Sequence, residues 1–80
     1  MSTYKRFPAV KAGRLLRILE SKPLCYRVAR QRGSHRRLEA RHYPPLTFPF
    51  HRSATVRPRT VRKILVNEVG LSVEEALELL

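Results

Sequence analysis

Helical periodicity at both ends of an 80-residue chain, three alternating runs between them and turn-forming residues at the junctions predict an α+β fold. The expected architecture is a two-layer sandwich, a three-stranded antiparallel sheet with two helices on one face, in the order α-β-β-β-α with a short C-terminal helix. Over 11–21, Leu15, Leu16, Ile18 and Leu19 gather on one helical face, with Arg14, Arg17 and Glu20 largely outside it. Pro23 ends this helix, because proline has no amide to donate and biases the residue before it away from helical angles.

From Leu24 the period falls to two. Leu24, Tyr26 and Val28 share one face, and Cys25, Arg27 and Ala29 the other. Gln31, Arg32 and Gly33 are expected to turn the chain into a second run from Ser34 to Arg41. There Leu38 and Ala40 face the core, opposite His35, Arg37, Glu39 and Arg41. The His42-Tyr43-Pro44-Pro45 break leads to a third run whose inward residues are Leu46, Phe48 and Phe50, with Pro49 marking an edge or a bulge. A hairpin symmetric about 42–45 brings His35 opposite His51 or Arg52.

Pro58 suits the first position of a second helix over 58–69, with Val61, Ile64, Leu65 and Val69 on its apolar stripe and Gly70 as its left-handed stop. Ser72 and Glu75 have the spacing of a capping box, ahead of a short helix carrying Ala76, Leu77 and Leu80. Glu68, Glu74, Glu75 and Glu78 make this end acidic, a poor surface for a polyanion and a suitable one for a protein.

Eighty residues are enough for one domain, 1–80, with a thin core, since a chain of this size buries only about 60% of its unfolded surface. A lone cysteine, Cys25, builds no disulfide framework and is expected to act as a small packing residue; a reducing cytoplasm is the expected compartment. No apolar run approaches the roughly 18 residues that would suggest a membrane span. The formal net charge of +11 narrows the partners further. Between 27 and 63 stand Arg27, Arg30, Arg32, Arg36, Arg37, Arg41, Arg52, Arg57, Arg59, Arg62 and Lys63 against Glu39 alone. Arginine forks fit phosphate oxygens and base edges, so nucleic acid is the leading partner, ahead of anionic membrane or a face kept basic for solubility.

The histidines His35, His42 and His51 have no HxH, HExxH or CxxC context, and no metal or cofactor is expected. Ser34 and His35 are adjacent, so in a strand their side chains point to opposite faces and share no proton. What an imidazole within an arginine-rich face can do is cleave RNA by transesterification. Histidine has an ordinary pKa near neutrality and can take the proton of a ribose 2′-OH, while arginines hold the charge that develops on phosphorus. The structural alternatives are that Gly33 only supplies a turn, Ser34 only satisfies an amide, His35 is an exposed strand residue, His51 closes a strand and His42 is a solvated loop residue. Tyr26, Phe48 and Phe50 fall on the apolar face and are read as core.

The segment Arg30-Gln31-Arg32-Gly33-Ser34-His35, with Leu46-Thr47-Phe48-Pro49-Phe50-His51, then Arg59-Thr60-Val61-Arg62-Lys63-Ile64-Leu65 and Gly70-Leu71-Ser72-Val73-Glu74-Glu75, resembles the HicA family of bacterial mRNA interferase toxins over about residues 9–80. The match departs at Ser21-Lys22-Pro23-Leu24, where the family usually has glycine and an aromatic residue. The resemblance implies a double-stranded-RNA-binding-like fold and a ribosome-independent endoribonuclease acting on mRNA. His35 is then the catalytic histidine, supported by Gly33, Ser34 and His51, and Arg30, Arg32, Arg36, Arg37 and Arg52 bind RNA. It also implies a HicB-like antitoxin that covers the active face, and leaves room for oligomers built through that partner. Two readings compete: a non-catalytic RNA-binding module or small basic ribosome-associated protein, and an interaction protein whose basic face docks an acidic partner.

Overall fold

The computed structural model describes residues 6–51 and 53–80. In chain order these form β1 (Val10–Lys11), α1 (Ala12–Glu20), β2 (Arg27–Arg32), β3 (His35–Glu39), β4 (Leu46–Pro49), β5 (Thr55–Val56), α2 (Pro58–Arg62) continued by a π-helical turn (Lys63–Glu68), and α3 (Val73–Leu79). β2, β3 and β4 make an antiparallel meander in that spatial order. The architecture is the expected α+β sandwich of the double-stranded-RNA-binding type. Leu15 and Leu19 of α1, with Val61, Leu65 and Val69 of the second helical segment, are buried in one cluster with Leu38, Leu46 and Phe48 of the sheet. Among the described residues no helix is long and apolar enough to cross a membrane.

α1 keeps the predicted apolar face, burying Ala12, Leu15 and Leu19. Its last turn is closed by the Ser21 hydroxyl, which donates to the Arg17 carbonyl at 2.6 Å. The expected strand from Leu24 does not begin there. Cys25 takes φ 55°, the left-handed region that favours glycine and costs a side-chain-bearing residue about 1–2 kcal/mol. Its amide bonds the Ser21 carbonyl at 2.9 Å while the Tyr26 amide reaches back to Leu19 at 2.8 Å. Extended pairing therefore waits until Arg27, although Leu24 and Tyr26 are buried as expected. Cys25 itself is exposed, not packed. Val28, expected to join the core, lies 38% exposed on the edge strand.

Two further departures concern single residues. Val28 pairs with Leu38 and Arg30 pairs with the next residue back, Arg37, so Ala29 is an extra residue bulged out of β2. In the second helix the buried positions run Val61, Ile64, Leu65 and then Val69. A regular α-helix would bring Glu68 back under Ile64 and Leu65. The wider π turn, in which the Val69 amide bonds the Ile64 carbonyl at 2.9 Å, carries Val69 inward and leaves Glu68 half-exposed.

A small ladder absent from the sequence reading ties the N-terminal segment down. β1 pairs with β5 through Val10 with Val56 and Lys11 with Thr55, and the Ala12 amide bonds the Ala54 carbonyl at 2.9 Å. Strands of two residues are too short to show a period. At the other end the capping box forms as expected: the Glu75 amide donates to the Ser72 hydroxyl at 3.0 Å and the Ser72 amide to the Glu75 carboxylate at 2.9 Å. Gly70 has φ 95°, as its stop position requires.

Candidate nucleic-acid interface

The β2–β3 connection is tighter than the sequence suggested. Gln31 and Arg32 belong to β2, and only Gly33 and Ser34 form the loop, so Arg32 pairs directly with His35. Gly33 has φ 58°, and a two-residue hairpin with glycine at its first position is a connection whose twist matches the strands. No atom lies near the place a Cβ would occupy at Gly33; the backbone angle, not space, favours glycine. The Phe50 amide donates to the Ser34 carbonyl at 2.6 Å, which pins the end of the third run against this turn.

His35 is consequently the first residue of β3, exposed and on the solvent face, with Arg32 across one ladder and Pro49 across the other. The expected pairing with His51 or Arg52 does not occur. Leu38 pairs with Leu46, so the loop between the strands is centred at His42, ahead of the assumed centre, and the whole register moves by two or more positions. His51 is exposed, one residue beyond Phe50, and its carbonyl accepts from the Ala54 amide at 2.8 Å. Arg52 lies outside the described residues.

The bulge decides what surrounds His35. Strict alternation from Val28 would send Arg30 and Arg32 to the core side; with Ala29 spare, Arg27, Arg30 and Arg32 all stand on the solvent face. Three rungs result: Arg32 beside His35 and Pro49, Arg30 beside Arg37 and Thr47, Arg27 beside Glu39. Arg32 and His35 of the first rung and Arg30, Arg37 and Thr47 of the second, with Ala29 and Glu39, line a groove of about 430 Å³. Arg37 is oriented within it by an Nη1 hydrogen bond of 3.2 Å to the Thr47 hydroxyl. Arg27 and Glu39 approach only to 4.0 Å with side chains 80% and 49% exposed, an ion pair worth little.

Arg36 is not part of this face. It points to the other side of the sheet, where its guanidinium stacks 4.1 Å from the Phe50 ring centroid. Thus Arg30, Arg32 and Arg37 gather around His35, Gly33 and Ser34 shape the turn that presents it, and Arg36 stands apart. Thr47 and Ala29 were not singled out from the sequence. The alternation Leu46-Thr47-Phe48 does place Thr47 outward, whereas nothing in Val28-Ala29-Arg30 marks a bulge. Among the described residues no three His, Cys, Asp or Glu side chains gather as metal ligands.

Against known families, the model described as HicA toxin of bacterial toxin-antitoxin matches residues 12–71. The chain belongs to the HicA toxin family. It is the toxin of a toxin-antitoxin system, and that system supplies an antitoxin as its partner. The matched span runs from the first residue of α1 past the π turn, so every strand of the HicA meander and the Gly33-Ser34-His35 hairpin lie inside it. Neither the curated proteins nor the solved structures hold a significant match.

Proposed function

We propose that this toxin is a metal-independent endoribonuclease that cleaves mRNA in the cytoplasm, with His35 as the general base. The observation that carries this reading is the placement of an exposed imidazole on the same rung as Arg32 and one rung from the Arg30 and Arg37 pair. RNA laid along the groove presents a ribose 2′-OH to His35. The imidazole takes its proton, the oxygen attacks the adjacent phosphorus, and the P–O bond to the 5′ oxygen breaks, leaving a 2′,3′-cyclic phosphate. Arg32, on the same rung, holds the phosphorane charge. The leaving oxygen takes a proton from a second acid, a role we assign to His51, whose neighbour Phe50 is bonded to Ser34. A HicB-like antitoxin that covers this face would silence the enzyme by excluding RNA.

The test compares wild type with His35→Ala on end-labelled RNA in EDTA. Wild type is expected to give cyclic phosphate ends, and the variant to lose on the order of 10²–10⁴ in rate while keeping its RNA affinity. Equal cleavage by both proteins sinks the reading. Binding by both with no cleavage by either leaves a non-catalytic RNA-binding module in its place.

A further inference from the structure

We infer that the groove is a track for two successive phosphates of a single RNA strand, the second of them held by Arg30 and Arg37, and that Glu39 ends the track. The inference deepens the nuclease reading by naming a subsite beside the reacting phosphate, and it rests on that reading only for calling the first phosphate the reacting one.

Arg30 and Arg37 are directly opposed across the β2–β3 ladder, on a surface where facing like charges destabilise a sheet. Arg30 has no carboxylate partner among the described residues, and Arg37 is held by a neutral hydroxyl, that of Thr47. Directly opposed residues have Cβ atoms roughly 5 Å apart, so these two long side chains can reach a single anion between them, and a bound phosphate turns their repulsion into two charge-assisted contacts. From the rung of Arg32 and His35 to that of Arg30 and Arg37 both strands advance two residues, about 6.7 Å, which is on the scale of the separation between neighbouring phosphates in an extended strand. The rung of Arg32 and His35 therefore serves one phosphate and the rung of Arg30 and Arg37 the next. The third rung differs in kind. Arg27 and Glu39 sum to no net charge, so a third phosphate meets a carboxylate and no surplus cation.

The test titrates the whole protein with 2′-O-methyl oligouridylates, which lack the attacking hydroxyl, carrying one, two or three internucleotide phosphates and no terminal ones, and reads Kd with backbone amide shifts. The second phosphate is expected to tighten binding about tenfold and the third by less than about twofold. Arg30→Ala and Arg37→Ala are expected to remove the second increment and leave single-phosphate affinity within about twofold, while Glu39→Gln lets a third increment appear. Equal increments for second and third phosphates in wild type overturn the track, as does an Arg37→Ala loss that is the same for every length. Cleavage plays no part in this readout, so a toxin that binds in this pattern yet never cuts RNA refutes the nuclease reading alone, and one that cuts RNA without the pattern refutes the track alone.

Discussion

Two segments of this toxin each hold one residue more than their period allows, and they use it in opposite ways. In β2 the extra residue, Ala29, turns Arg30 and Arg32 out toward His35. In the second helix the π turn carries Val69 in toward Leu65 and keeps Glu68 out. The first sets like charges opposite one another on an exposed edge strand and creates a surface that an anion can settle. The second completes a buried cluster and lowers the free energy of the folded chain by itself. On the proposed function the same device serves binding where it meets solvent, and it serves stability where it meets the core.

The strongest way to break this contrast is to reverse the π turn's choice. Val69→Glu puts a carboxylate at a position 2% exposed and is expected to cost about 3 kcal/mol or more. An 80-residue chain has a net stability on the order of 4–12 kcal/mol, so that loss is visible in any urea or thermal melt. Glu68→Ala, one residue earlier, is expected to stay within about 0.5 kcal/mol. A reversed ranking would mean that the helix runs regularly with Glu68 inward.

Neither insertion was legible beforehand, and the reason is the same for both. A pattern reading assumes a constant period, and a single extra residue changes the phase without changing the composition: Val28-Ala29-Arg30 and Val66-Asn67-Glu68 hold no glycine or proline. The apolar stripe of α1, the hairpin glycine, the capping box and the outward position of His35 were legible because each follows from local spacing, whereas Arg30 and Arg32 reach the face of His35 only through the bulge. The partner of His35 was not, because it depends on where the 40–45 loop centres. Tyr26 bears on that choice: its hydroxyl donates to the Pro44 carbonyl at 2.7 Å, a contact between residues far apart in sequence. The late start of β2 was hidden for a different reason, since a cysteine in a left-handed conformation leaves no mark in the residue types.

The surface insertion can be sharpened by removing the charge it exposes. Arg30→Gln ends the repulsion with Arg37 without shortening the strand, and is expected to stabilise the RNA-free toxin by about 0.2–1 kcal/mol in low salt. The gain should fade as added salt screens the pair, and RNA affinity should fall in the same variant. Opposite signs for stability and affinity are what a binding device predicts. A variant that loses both would make Arg30 a structural residue of the sheet and erase the contrast with Val69.

The smallest expected effect follows Glu68 to where the π turn leaves it. Burial pushes the Tyr26 phenol above its ordinary value, and Tyr43 and Glu68 add to the shift. In the unfolded chain a tyrosine titrates near pH 10, so between about that pH and the higher folded value the native state keeps a proton that the unfolded state has released. This contribution is fully present below about pH 10 and is lost as pH rises through the folded value. At neutral pH Tyr26→Phe should cost about 1 kcal/mol for the lost bond to Pro44. In urea melts above about pH 10 the gap between wild type and Tyr26→Phe should close. Glu68→Gln withdraws one negative neighbour and lowers the folded value, so the total alkaline loss should be smaller than in wild type. An alkaline profile indifferent to Glu68 would place its carboxylate away from Tyr26, against the position to which the π turn carries it.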